Sequence, residues 1–309
     1  MKANRLKGAR QLILVDGKVQ DTGAPLAFRL AEGERPAQLL QVVANRSAEG
    51  PQDLSFSGSF HFGRGSEGQV MLCSHTSRTD PVRTEDRLRI TLEENARAAF
   101  VVLQDEHNGA RHETFCEITL AAGAALDLVF FSLHGGAIVN HLDIRLQGER
   151  SVCNLGGLYL ADGTQRMDYD VRLDHTVPNC RSSQIFKGIL DEEARAHFDG
   201  LIRVEPGAQH TEAYQANHNL LASDKARACS QPQLEIYADD VKCSHGATVG
   251  RLNADELFYM RSRGIPAAEA RVLQQMAFTH EVVELIPSPE LREQMQELVE
   301  KRLRGEFAK

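Results

Sequence analysis

The chain has no tryptophan and few aromatic residues, 6% of 309, and neither scarcity carries a functional reading. It has no run of about 18 apolar residues, so no membrane-spanning helix is predicted. Its opening segment is basic, but the apolar run Leu12 to Val15 is too short for a signal peptide. The six cysteines, Cys73, Cys116, Cys153, Cys180, Cys229 and Cys243, are scattered without a Cys-x-x-Cys pair. Together these features predict free thiols in a reducing cytoplasm rather than disulfides. There is no surplus of positive charge. The net charge of −8 argues against a nucleic-acid binder, which would show a basic patch. No GxxxxGK[ST] loop, GxSxG elbow, HExxH helix or EF-hand loop occurs.

What is present is a soluble globular balance, with 42% hydrophobic and 25% charged residues, in a chain long enough for one or two domains with a large core. One glycine motif, Gly63-Arg64-Gly65-Ser66-Glu67-Gly68, matches GxGxxG. A dinucleotide site needs a helix after those glycines. Gln69-Val70-Met71-Leu72-Cys73 reads instead as a strand, so the segment is a glycine-rich turn.

The middle of the chain repeats. Arg89-Ile90-Thr91-Leu92, Glu117-Ile118-Thr119-Leu120, Asp143-Ile144-Arg145-Leu146, Asp170-Val171-Arg172-Leu173 and Leu201-Ile202-Arg203-Val204 share one pattern, ending at positions 92, 120, 146, 173 and 204. Most are followed by a short turn and a second extended run: Ala98 to Leu103, Leu126 to Leu133, Val152 to Leu160 and Ser183 to Leu190. Alternation without helical periodicity makes these strands. Units of this size must stack to bury their faces. A β-sandwich would space its strands irregularly, whereas steps of 28, 26 and 27 residues between the first four endings suit a β-helix with two strands per coil. The longer last step reads as one inserted loop. The open ends of such a solenoid require caps or partners.

After residue 250 the pattern turns helical. Asn253-Ala254-Asp255-Glu256 has a capping-box pattern for a helix ending near Gly264. Pro266 suits the first turn of a second, with Val272, Met276, Val283 and Ile286 as its stripe, stopped by Pro287. Ser288-Pro289 opens a third, with Leu291, Met295, Leu298 and Val299 inward. The predicted layout is N-terminal strands over 1–50, a β-helix over 51–250 and a helical region over 251–309.

Cys243-Ser244-His245 is the main chemical candidate. A thiol and an imidazole two residues apart on a strand project from one face and suit a soft metal or a sulfur species. Val241, Ala247 and Val249 share that parity, so a packed cysteine is the plain alternative, and two ligands alone do not complete a site. Cys73-Ser74-His75 repeats the spacing, as coincidence or as a solenoid echo. Cys180 reads as a turn residue and a candidate reactive thiol. His112, His141 and His175 lie about one coil apart and are candidates to approach one another.

The stretch Pro232 to Gly250, PQLEIYADDVKCSHGATVG, with Leu257-Phe258-Tyr259 and Arg261-Ser262-Arg263-Gly264-Ile265, resembles the SufB/SufD family of the Suf iron–sulfur cluster assembly system. Weaker echoes are Asn179-Cys180-Arg181-Ser182 with Lys187, Phe198-Asp199-Gly200-Leu201-Ile202, and Leu14-Val15-Asp16-Gly17-Lys18. Where SufB-like chains carry Glu-His-Glu-Ala-Thr, this chain has Cys243-Ser244-His245-Gly246-Ala247-Thr248, which places it nearer the SufD branch. The resemblance implies a mainly β fold, a right-handed parallel β-helix with a C-terminal α-helical region. It also implies a non-enzymatic scaffold that pairs with a SufB-like paralogue through its last β-helix strands and with a SufC-like ABC ATPase through the helical region. Cys243 and His245 are then expected to offer ligands to iron or a nascent cluster at the partner interface. A transient cluster is expected rather than a stably bound cofactor, and no flavin motif is present. The isolated chain is expected to dimerise. Family members carry an N-terminal helical segment, whereas this sequence opens almost directly on strand-like residues. Two other readings are a β-helix enzyme acting on polysaccharide and a purely structural homodimer whose Cys243 only packs. The scatter of Asp and Glu over turns and the helical region counts against the enzyme.

Overall fold

The computed structural model describes residues 9–15, 18–20, 24–46, 52–76 and 81–306. The chain order is β1 (Arg10–Val15), β2 (Lys18–Val19), β3 (Leu26–Leu30), β4 (Leu40–Arg46), β5 (Gln52–Phe62), β6 (Glu67–Thr76), β7 (Val82–Leu92), β8 (Arg97–Asp105) and β9 (Ala110–Leu120). It continues with β10 (Ala125–His134), β11 (Ala137–Leu146), β12 (Val152–Ala161), β13 (Arg166–His175), β14 (Arg181–Leu190), β15 (Arg195–Val204), β16 (Glu212–Leu221), β17 (Arg227–Ile236) and β18 (Lys242–Arg251). Three helices follow, α1 (Ala254–Ser262), α2 (Ala267–Val283) and α3 (Pro289–Leu303).

From β3 onward odd and even strands separate. The odd ones form an eight-stranded sheet in the order β17-β15-β13-β11-β9-β7-β5-β3, and the even ones join β1 and β2 in a ten-stranded sheet that ends at β18. Every pairing between coils is parallel, so each coil lies in register on the one before. The two-strand β-helix read from the repeats is therefore the fold, with about eight turns. The chain reverses sharply at corners where one residue takes a left-handed conformation: Gly65, Asn95, Gly123, Arg150, Asn179 and His210, with φ from 58° to 66°. Gly65 sits in the glycine-rich turn, and β6 follows it directly.

The register corrects one step of the sequence reading. Leu146 faces His175, and His175 faces Val204, while Leu173 lies between Ile144 and Ile202. The coil steps at 146, 175 and 204 are thus 29 and 29 residues, and the inserted loop disappears. An imidazole occupies a core slot held by aliphatic residues in neighbouring coils, so the aliphatic pattern slipped by two positions.

Two cores result. Between the sheets, residues such as Phe60, Phe100, Ile118, Phe130, Ile144 and Phe186 fill the lumen. On the outer face of the even-numbered sheet, Met71, Leu103, Phe131 and Leu158 pack against Val282, Ile286, Leu291, Met295 and Val299 of the helical region. β8 and β10 are thus buried on both faces, which is why they read as continuous apolar runs. The helix starts match the caps: Asn253 accepts hydrogen bonds from the Asp255 and Glu256 amides, and Ser288 from Leu291. Pro266 stands at the N-cap of α2 rather than inside its first turn. Arg302 fastens α3 to the solenoid, donating to Leu133 O at 2.6 Å and Asp162 at 2.9 Å from a buried guanidinium. Among the described residues no helix is long and apolar enough to cross a membrane. Asp16 and Gly17, part of one sequence echo, lie outside the described residues.

Candidate functional site

The last coil is where the stacking stops. β17 and β18 are the terminal strands of their sheets, each paired on one side only. β17 carries Pro232, which removes one backbone donor from that edge, whereas β18 has no proline and presents a full set. The residues that continue the core columns therefore face an open end. Cys243, His245, Ala247 and Val249 lie in register on Ala213, Gln215, Asn217 and Asn219. Those four are buried, whereas on β18 only Cys243 retains partial cover. Exposed apolar side chains surround this end: Ile236, Tyr237 and Val249 from the last coil, and Phe258 (72% exposed) and Tyr259 from α1, which buries none of its residues. Exposed apolar side chains of this size are candidates for an interaction surface.

Cys243 is the half-covered member of this strand. Its side chain packs on a small cluster of Ile202, Val204, Ala208, Ala213 and Ala238, yet it remains part-exposed. Desolvation pushes its thiol above the ordinary range, and the Ala213 backbone, which favours the thiolate, offsets this only in part. His245 has the same interior parity and is exposed. Among the described residues no group of three or more His, Cys, Asp or Glu is arranged to hold a metal ion. Cys243 and His245 alone do not complete a metal site.

The other candidates separate. Cys73 faces the opposite way from Cys243, into the core beneath the helices, and burial pushes its thiol up to about 12. Cys73-Ser74-His75 is therefore no echo of the later motif. Its His75 pairs with Asp105 at 3.4 Å. Cys180 is buried under the corner before β14, where it contacts Ser151 Oγ and Gly148 O at 3.3 Å; the reactive-thiol reading fails on access. The three histidines do not meet. His112 is buried between Asp86 and Glu106, each at 3.0 Å. His141 lies between Glu113 and Asp170 and stacks on Phe115. His175 is buried with its Nε2 2.9 Å from Ser182 Oγ, and desolvation lowers its pKa to about 4. Lys187 lies under α2, donating to Phe278 O at 3.0 Å and pairing with Glu281 at 2.7 Å.

Sequence reasoning missed the polar floor beneath the motif. A buried amide network at Gln104, Ser132 and Asn140 in the middle coils is followed by a second one in the last coils. Tyr159 donates to Asn219 at 2.7 Å, Asn217 donates to Tyr159 at 2.9 Å, and Gln215 donates to Gln184 at 3.0 Å. The signal was available in the alternation of β16, Gln215, Asn217 and Asn219 at interior parity, and becomes readable once the register is known.

Comparison with known proteins adds a family. A model described as "SUF system FeS cluster assembly, SufBD core domain" matches residues 59–278. The iron–sulfur cluster assembly protein SufD of Escherichia coli is 32% identical over 278 residues, covering 88% of this chain and 65% of that protein. SufBD family assembly proteins of Synechocystis sp. and Mycobacterium tuberculosis are 33% and 31% identical, over 74% and 71% of this chain and 50% and 57% of theirs. The chain thus spans between half and two-thirds of the length of these relatives.

Proposed function

Because this chain belongs to the SufBD family of iron–sulfur cluster assembly proteins, we propose that it is a SufD-like scaffold subunit whose last coil is one half of a cluster assembly site. The observation that carries this reading is the pairing of an open β18 edge with Cys243 and His245 at interior parity. A SufB-like paralogue adds its own terminal strand to β18 by main-chain pairing and covers Val249 and Tyr237. It thereby brings its ligands opposite Cys243 and His245. A thiolate and an imidazole are a donor pair suited to iron. Two ligands from each side, completed by sulfide, hold a cluster firmly enough to build it and loosely enough to pass it on. Iron and sulfide are cargo here, and no resident cofactor is needed.

The helical region serves a second partner, a SufC-like ABC ATPase. In support, α1 projects Phe258 and Tyr259 while burying nothing of its own. Without its paralogue the chain pairs with a second copy through the same edge. A reducing cytoplasm suits buried free thiols such as Cys116 and Cys153, which burial holds protonated. The polysaccharide reading needs two carboxylates facing a sugar, whereas Glu113 and Asp170 on the outer face share His141.

The test is replacement of Cys243→Ser and His245→Ala in cells that depend on this chain, with the activity of iron–sulfur enzymes as readout. The proposal expects loss of maturation with co-purification of both partners retained. Full maturation with both substitutions in place would remove the ligand role.

A further inference from the structure

The buried amides below the motif leave two polar atoms without a partner, Gln184 Nε2 and Gln215 Oε1. Gln215 is 3% exposed and Gln184 2%. Gln215 Nε2 donates to Gln184 Oε1 at 3.0 Å, yet Gln215 Oε1 has no hydrogen-bond partner. An unpaired buried carbonyl is costly, and folded proteins seldom leave one without a purpose. Across the lumen stands Gly200, where even a Cβ would come within 2.6 Å of Gln215 Nε2. With the amide nitrogen committed backward to β14, the oxygen is left for the next strand, and the residue in register there is His245. Adjacent strands stand about 4.8 Å apart, within reach of an imidazole. His245 makes no hydrogen bond of its own among the described residues.

We propose that Gln215 is the positioning residue for His245: its Oε1 accepts the proton of one ring nitrogen when the imidazole turns inward over the last coil. This fixes the neutral tautomer, leaves the other nitrogen's lone pair directed out of the open end, and makes it a better donor to a metal. Gln184 acts one step behind by holding the Gln215 amide the right way round. The column Gln184–Gln215–His245 is then a relay of orientation, built from the interior of the solenoid to its rim. The idea deepens the scaffold reading and rests on it for its purpose, but not for its test.

The experiment uses the full chain without iron or partner, labelled with ¹⁵N histidine, at a pH where the imidazole is neutral. The ring signals are assigned to His245 by their loss in His245→Ala. The expected result is one dominant tautomer in the parent chain and a ratio shifted about fivefold toward the free-imidazole mixture in Gln215→Leu, the effect of one neutral hydrogen bond. Gln184→Leu, which leaves Gln215 in place, shifts it less in the same direction and serves if Gln215→Leu disturbs the fold. Identical His245 ring signals in the parent and in a variant whose β16 amide signals are retained would overturn the proposal. A mixed tautomer population already in the parent chain would do so as well. Such a failure leaves the scaffold reading standing, whereas a clear tautomer shift with maturation indifferent to His245→Ala would remove that reading alone.

Discussion

The column Ile118, Ile144, Leu173, Ile202 and Leu234 runs along one face of the lumen in strict register. Its first four members are sealed, and Leu234 is part-exposed. On the facing sheet the column Leu128, Leu155, Gln184, Gln215 and His245 starts as ordinary core and ends in amides and an imidazole. The middle coils and the last coil are thus the same architecture carrying different chemistry. In the middle, most slots are aliphatic or aromatic, and the polar side chains among them, Gln104, Thr114, Ser132 and Asn140, are sealed and satisfied by one another and by Tyr169. At the end, Gln184 and Gln215 are still sealed, and only on β18, where no further coil follows among the described residues, does the column open to solvent at His245. The proposal places stability in the first region and recognition in the second.

The largest effect expected from this contrast is in the middle. Ile144→Ala removes a fully buried side chain and should cost about 3 kcal/mol, read as a lowered urea midpoint. A second effect separates stability from site chemistry through pH. His175 titrates near 4 in the fold against about 6.5 in an unfolded chain. Above 6.5 neither state binds the proton. As pH falls from 6.5 toward 4 the unfolded state binds it first, so folding loses up to about 3 kcal/mol. His175→Leu, which suits the Leu146 and Val204 neighbours, should flatten that acid limb in denaturation midpoints compared at pH 7.5 and 4.5. An unchanged slope would show that other groups set it.

Arg302→Ala tests how the helical region is held. It removes one partner of Asp162 and the side-chain donor to the Leu133 carbonyl, and should cost about 3 kcal/mol. Hydrogen exchange should rise in α3 before it rises in β10 or β12. Uniform exchange across both would mean that helices and solenoid unfold as one. The smallest effect falls at the end of the same aliphatic column. Leu234→Ala should cost less than Ile144→Ala in the isolated chain, about 1 to 2 kcal/mol, since the side chain is already part-exposed. It should weaken binding of the SufB-like partner more than it lowers the urea midpoint. A cost equal to that of Ile144→Ala would erase the distinction between the two regions.

The solenoid was legible because parallel coils impose a repeat that alternation displays directly, as at Arg89-Ile90-Thr91-Leu92 and Glu117-Ile118-Thr119-Leu120. The slip at Leu173 has a physical origin. His175 is polar by type and buried by position, so no hydrophobic pattern marks it as core. The helix caps at Asn253 and Ser288 were legible for the opposite reason, because a cap is a local contact. At the candidate site, the shared parity of Cys243 and His245 was readable, but their exposure was not. It depends on β18 being the last strand, which is a property of the stack. Gln215 lies 30 residues before His245 and becomes its neighbour only through the coil register.

The central claim is that the last coil is half of a shared iron site. Anaerobic iron and sulfide content, measured on this chain alone and on its complex with a SufB-like partner and a SufC-like ATPase, tests it most directly. The account predicts iron in the complex, little in the isolated chain, and loss from the complex when Cys243→Ser and His245→Ala are combined. Equal iron in the isolated chain, or undiminished iron in the doubly substituted complex, would contradict it.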